Sequence, residues 1–470
     1  MSELPSAAFQ QDLLAREPFS QSLERFLCTE HHFVDGSLVL SLSAPFGSGK
    51  TTFLHMWAKD LASRRSANAE LPRPVIINAW ESDYCGDPLL AIVSALTRAL
   101  SDAQAPEPEP GKAAKIREAL RDLACFGLGL ANAVVANATG VDAIAIGEFA
   151  ADQKDKRNQD LSDRRDALDA FEAKTSALVK LKEALKSAFG SPEPKAIVLI
   201  DELDRCRPDY AISYLETIKH IFDVHGIVFV LAIDEGQLRS AASVLFGQSL
   251  DFAEYYRKFS HRSIPLPEPE KPEIEKLTKA YCERYLQAES KRKHVMELGH
   301  SAVENIGLLF HSMRLRPRQI QEAFRVMGHC LSTSPEKNLR VNWAFGATVL
   351  FMAGLRSHRK NTYDDLAEGR LSVQQLSALL EPLSENSHNH EWWFKVLAAG
   401  LWNDKKNWES EVLQEMSRLG WVTISGTEKP NMRGMFAEFL QGWGDLNTRS
   451  RKNGINRVHE RIERLMDFAR

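Results

Sequence analysis

The sequence has no pair of cysteines at metal-ligand or redox spacing. Its six cysteines, Cys28, Cys85, Cys125, Cys206, Cys282 and Cys330, are scattered, with no CxxC among them. That argues against a zinc site or a disulfide framework and for reduced thiols in a cytosolic compartment. Positive charge is not in excess either. Against 59 Lys and Arg stand 63 Asp and Glu, for a net charge of −4. No global basic field announces nucleic acid, and only a local basic patch stays open. The start, Met1-Ser-Glu-Leu-Pro, lacks the basic stretch and apolar core of a secretory signal. No internal repeat is present. Long apolar runs are also scarce: only residues 123–140 (LACFGLGLANAVVANATG) reach the length of a bilayer. Asn132 and Asn137 inside that run, and Asp142 just after it, make membrane insertion costly and favour a buried or interfacial helix.

With 470 residues, 44% of them hydrophobic, the chain is long enough for more than one domain and a large core. The N-terminal half reads as mixed α/β. Apolar runs at 37–43, 74–79, 196–200 and 227–233 read as buried strands, with a short fifth at 262–266. Between them lie helical patterns at 51–62 and 87–102, the second with Pro88 suited to its first turn. Residues 153–188 are charged and helical in pattern. APEPEP at 105–110 reads as an exposed linker. Strands alternating with helices imply a parallel sheet with helices on both faces. From Pro272 onward the pattern is helical, apart from a possible strand at 421–425. The last helix, 455–470, carries Ile455, Val458, Ile462, Leu465 and Met466 on one face.

The stretch 43–51, Ser-Ala-Pro-Phe-Gly-Ser-Gly-Lys-Thr, joins the first strand to the first of these helices. That is the setting a phosphate-binding loop requires. Gly47 and Gly49 allow a tight turn that aims backbone N–H groups at phosphate oxygens. The helix that follows presents its positive end to the same anion. Pro45, Phe46, Gly47, Ser48, Gly49, Lys50, Thr51 and Thr52 are therefore the candidate nucleotide-binding residues. Lys50 reaches for the β- and γ-phosphates of ATP, and the Thr51 hydroxyl is a Mg2+ ligand. One position departs from the GxxxxGKS/T pattern, with Ala44 standing where the first glycine belongs. The competing reading is a glycine turn with an exposed lysine.

The third strand ends in acids: Ala196-Ile-Val-Leu-Ile-Asp-Glu-Leu-Asp204. In an open parallel sheet ligands gather at the carboxyl ends of strands. Asp201 is thus expected beside the loop as a Mg2+ ligand, and Glu202 as the group that orients or deprotonates water, with Asp204 next in line. Alternatively, these acids cap a helix starting near Pro208. The fourth strand ends at Asp234, which either senses the γ-phosphate or caps a helix before Gln237.

These residues carry a resemblance. PFGSGKTT at 45–52, INAWESD at 77–83, LIDELDRCRPD at 199–209 and VFVLAIDEGQL at 228–238 resemble the KAP family of P-loop NTPases, in the STAND-like branch of the additional-strand class. Weaker echoes are AEYYRKFSHRSIPLP at 253–267 and RLRPRQIQEAF at 314–324. The resemblance implies a P-loop NTPase core built from 1–104 and 191–270, a helical insertion at 105–190 and a helical C-terminal domain at 271–470. It implies an extra strand between the Walker A and Walker B strands, a place that 74–79 would fill. It also implies a Mg2+-dependent ATPase acting as a conformational switch. For bacterial members it points to antiphage or antiplasmid defence, for animal members to membrane signalling. A nucleotide-dependent scaffold or a membrane-associated signalling protein, either with negligible turnover, is the alternative. Protein partners or self-association would use the helical half, nucleic acid has no support, and membrane attachment is disfavoured. In related ATPases an arginine on a helix after the sheet folds back on the nucleotide, and Arg318 best matches it, a helix-surface arginine being the other reading. Arg205 and Arg207 read first as salt-bridge partners. Arg257, Lys258 and Arg262 read as a solvated face sooner than as an arginine finger. His388, His390, Trp392 and Trp393 read as a loop running into an aromatic-anchored helix. The basic tail from Arg449 reads as a solvated helix face.

Overall fold

Five strands form one all-parallel sheet in the order β2-β3-β4-β1-β5. They are β1 (Leu38–Ser43), β2 (Arg73–Asn78), β3 (Ala196–Asp201), β4 (Ile227–Ile233) and β5 (Arg262–Pro265). The computed structural model describes residues 8–9, 12–102, 109–124, 164–289, 300–332, 343–402, 407–423, 431–443 and 454–467. The chain divides into two units, Met1–Pro267 and Glu268–Arg470.

Side-chain alternation along each strand sorts the first unit's core into two layers. Leu38, Leu40 and Leu42, Ile197 and Leu199, and Val228, Val230 and Ala232 share one layer with Phe53, Leu54, Trp57 and Leu61 of the helix Lys50–Ala67. The alternate positions, among them Val39, Val198, Ile200, Phe229 and Leu231, join the other layer. There they meet the helices Pro88–Ser101, Pro110–Ala124, Arg164–Phe189 and Pro208–Ile221. Trp57 is fully buried and donates its indole N–H to Glu24 Oε1 at 2.7 Å. A core side chain of that size is worth about 3–5 kcal/mol on truncation. Ser41 is the buried polar residue of β1, and its hydroxyl bonds to both Tyr256 and Ser260 at 2.7 Å.

One expectation is corrected by the sheet order. The strand at 74–79 does not lie between the loop-bearing β1 and the acid-bearing β3. It forms the sheet's edge, and β4 occupies the place between them. The physical reason is visible in the residues. All seven positions of β4 are apolar and buried, as a strand covered on both faces requires, while burial along β2 alternates. Pro74 also has no N–H to give a second neighbour, which suits an edge.

The second unit is helical throughout its described residues, from Lys271–Glu289 to Gly454–Asp467. Its core is aromatic, with Phe310, Phe324, Tyr363, Trp393, Trp408 and Trp443 all fully buried. The strand expected at 421–425 is absent over its described part, 421–423, where Trp421 N bonds back to Met416 O at 2.9 Å. His388 and His390 lie inside the first turn of a helix, Ser387–Gly400, capped by Asn386. They do not form a loop. No helix among the described residues is long and apolar enough to cross a membrane. The stretch 125–140 falls outside them, as do 105–108 of the expected linker. Cys28, Cys206, Cys282 and Cys330 are free.

Candidate functional site

The loop after β1 folds as its glycines allow. Gly47 and Gly49 take left-handed φ values of 84° and 89°. Ser48 closes the turn, its N–H and its hydroxyl both reaching Pro45 O, at 3.3 and 2.6 Å. Ala44 does not have a positive φ, so alanine serves where the motif usually has glycine. Gly49 stands at the N-cap of Lys50–Ala67, an 18-residue helix with no side-chain cap and no acid in its first turn. Its first N–H groups have no side-chain cap, and together with the helix dipole they suit an anion. Thr51 and Thr52 lie in that turn.

Behind the loop the charged residues interlock. Lys50 is buried, and its ammonium donates to Ala44 O at 2.7 Å and sits 3.8 Å from Asp204 Oδ2. That same Asp204 oxygen accepts the N–H of Asp234 at 2.8 Å. Asp234 divides its carboxylate. Oδ1 caps the helix Glu235–Phe246 through Gly236 N at 3.0 Å, and Oδ2 accepts the N–H of Phe46 in the loop at 3.1 Å. It is therefore both helix cap and loop anchor. Burial pushes Lys50 below the usual lysine range, against the pull of Asp204, Asp234 and Asp201. Burial also pushes the Asp204 carboxyl up, opposed by Lys50. A desolvated lysine of this kind gains from a polyphosphate that restores a strong counter-charge.

Asp201 closes β3 opposite Asn78 of β2 and is 4% exposed. Its Oδ1 accepts the N–H of Glu202 at 2.9 Å. Glu202 has a left-handed φ of 60°, unusual for a non-glycine residue and of the kind found at functional sites. These acids do not cap the helix Pro208–Ile221, whose N-cap is Arg207. Glu202 Oε1 pairs with Arg205 Nη2 at 2.9 Å, and Oε2 accepts from Asn78 Nδ2 at 3.3 Å. Arg207 grips Asp83 through its backbone N–H and its Nε, at 3.1 and 3.0 Å. Both arginines are thus in salt bridges. Arg262 is exposed and pairs with Glu30 at 2.9 Å. Arg318 is the second residue of the helix Pro317–Ser332 in the second unit, and its part in the site rests on the resemblance alone.

Two residues escaped the sequence reading. Arg16 is 2% exposed and spans the loop from outside, its Nη2 donating to Ser48 O at 2.9 Å and to Pro267 O at 3.4 Å. Its Nη1 is buried with no hydrogen-bond partner and would lie 3.8 Å from a Cβ on Gly49. Burial lowers this guanidinium to about 10. The Asp12 carboxylate, accepting from Leu14 N and Glu17 N at 3.2 and 2.9 Å and from Arg16 N, fixes the turn that seats it. Asn78 is the other. Its signals were its place at a strand end and within the INAWESD stretch at 77–83.

A strand, a glycine-rich loop and an uncapped helix on β1, with a buried acid at the end of β3 and a half-buried one at the end of β4, define the P-loop NTPase fold. Within that class the chain belongs to the KAP family, whose P-loop domain model matches residues 16–335. No curated protein matches the sequence. Among solved structures, the chain is similar to the ORC2 protein of Aeropyrum pernix. In its ADP form the identity is 13%, with a TM-score of 0.34, covering 96% of this chain and 94% of that one. In ADPNP–ADP complexes the identity is 12%, with a TM-score of 0.35, covering 96% and 95%.

Proposed function

We propose that the chain binds ATP with Mg2+ on the loop 45–52 and hydrolyses it, the cycle serving as a conformational switch. The supporting observation is the interlocked cluster. Buried Lys50 lies 3.8 Å from Asp204, which accepts the N–H of Asp234 at the end of β4; Asp201 ends the neighbouring β3 and Glu202 follows it. Backbone N–H groups of 47–52 receive the phosphates. Lys50 turns from Ala44 O to the β/γ-phosphate oxygens. Thr51 and Asp201 hold the cation, which when bound neutralises charge on the transferred phosphoryl group. Glu202 orients water and takes its proton. Asp234 keeps the loop in place and reads the γ-phosphate. Asp204 is poorly placed as the base, because Lys50 and the Asp234 N–H already engage it. A role in defence rests on the resemblance and not on the site.

A second reading, a nucleotide-dependent scaffold with negligible turnover, is favoured by one observation. Both oxygens of Glu202 already have partners. Two substitutions test the first reading. Glu202→Gln is expected to bind ATP as the native chain does and to lower turnover by about 10²–10⁴-fold, the usual worth of a general base. Asp201→Asn is expected to weaken Mg2+-dependent binding and turnover together. Undiminished turnover in Glu202→Gln would move the base elsewhere. Tight binding with no measurable turnover in the native chain would favour the scaffold.

A further inference from the structure

We propose that Arg205 is a positioning residue that restrains Glu202, holding the carboxylate in an ion pair that competes with the water it activates. This rests on the assignment of Glu202 as the group that acts on water. The pair is local and built by the chain itself. Glu202, in its left-handed conformation, starts the short 3-10 turn Leu203–Arg205, and that turn brings residue 205 back to 2.9 Å from the acid three positions earlier. The second oxygen is taken by Asn78 at the end of the edge strand β2. Asn78 thus holds the acid from the β2 side, and Arg205 links it to Phe46 of the phosphate loop. Lys50, Asp204 and Asp234 bond among themselves, and none of those bonds engages Glu202.

Arg205 is itself held. Its guanidinium lies 4.9 Å from the Phe46 ring and 5.9 Å from the Trp80 ring. Phe46 is 45% exposed and Trp80 53%. A planar guanidinium can rest against aromatic rings while its edge grips a carboxylate, a fit that lysine's point charge does not reproduce. Phe46 belongs to the phosphate loop, and Asp234 fixes its N–H. A continuous set of contacts thus runs from the loop through Phe46 and Arg205 to Glu202. Any event that shifts Phe46 or covers Trp80 changes the shelf on which Arg205 rests. Half-exposed ion pairs are weak, so this restraint is of a size that such an event can undo. The tied Glu202 that favours a scaffold and the acid that favours an enzyme become two settings of one site.

The test compares steady-state turnover at saturating Mg-ATP with affinity for a fluorescent ATP analogue in Arg205→Ala. Turnover is expected to rise by roughly three- to tenfold, with affinity within about twofold of native, since a weak pair is released and no phosphate contact is lost. Arg205→Lys is expected to give a smaller rise. Trp80→Ala removes half the shelf from an exposed position and is expected to raise turnover by about twofold, which keeps the test alive should Arg205→Ala fail to fold. Unchanged or lower turnover in folded Arg205→Ala overturns the inference. So does a gain that survives in Arg205→Ala/Glu202→Gln, because it would not run through Glu202. Native turnover in Glu202→Gln alone sinks the assignment of the base, a different result from either.

Discussion

At the carboxyl ends of β1, β3 and β4, Lys50, Asp201, Asp204 and Asp234 are buried or half-buried and bonded to one another or to loop amides. At the amino ends of the same strands, His31 is fully buried and stacks on His225 with ring centroids 4.2 Å apart and planes 16° apart. Neither ring nitrogen of His31 has a hydrogen-bond partner. Burial, and then the neighbouring His225 and His32, lower it to about 4, with Glu193 pulling the other way. One end of the sheet thus keeps its charges by pairing them. The other buries an ionisable ring by keeping it neutral. Charge held against burial is costly unless something uses it, so the paired end is where a ligand is to be sought.

The largest effect expected from this contrast is at Lys50. Lys50→Ala is expected to weaken ATP binding by about 1.5–3 kcal/mol, the worth of a charge-assisted bond, and calorimetry measures it directly. His31→Phe, at the other end, is expected to leave that affinity unchanged. Equal affinity in folded Lys50→Ala and native protein would erase the distinction between the two ends.

The next effect runs the opposite way, with His31 the sensitive residue. Its folded value of about 4 lies below the ordinary 6.5. Between those values the unfolded chain binds more protons than the folded one, so stability is whole above the upper value and falls as pH drops through the window. His31→Phe is expected to remove on the order of 2 kcal/mol of that pH dependence, read from urea unfolding at pH 7, 5.5 and 4.5. A native-like slope in the variant would show that other groups carry the acid sensitivity.

The smallest effect concerns Asp234. Asp234→Ala loses the helix cap and the bond to Phe46 N, for about 1 kcal/mol of stability. Asp234→Asn keeps the capping chemistry and is expected to stay within about 0.5 kcal/mol of native. If the two variants prove equally unstable, the carboxylate's charge and not its cap holds the loop.

The loop and the acids were legible in the sequence because each is written as a contiguous pattern: glycines at fixed offsets, then Lys50, and an apolar run ending in Asp201. Asp234 was legible only as a choice between cap and sensor, and its two oxygens let it cap the helix while tying down the loop. The sheet order was harder, since chain order says nothing about which strand lies between β1 and β3. The signs were there all the same, in Pro74 and in the unbroken apolar run of β4. Arg16 left no such trace. It acts through carbonyls at Ser48 and Pro267, and carbonyls belong to every residue type. In the second unit the helices followed from periodicity. The stretch beginning at Trp421 misled because three apolar or β-branched residues resemble a strand as readily as a helix end.

The span of Arg16 has a practical side. One side chain bonds to the phosphate loop and to a carbonyl 251 positions further along. The turn that seats it begins at Asp12, ahead of the first helix, Glu17–His31. A protease nick, a deletion or a fused tag between Asp12 and Arg16 would therefore register as poor nucleotide retention, with every motif residue intact. Preparations that differ only in their first fifteen or so residues are not interchangeable in a binding experiment.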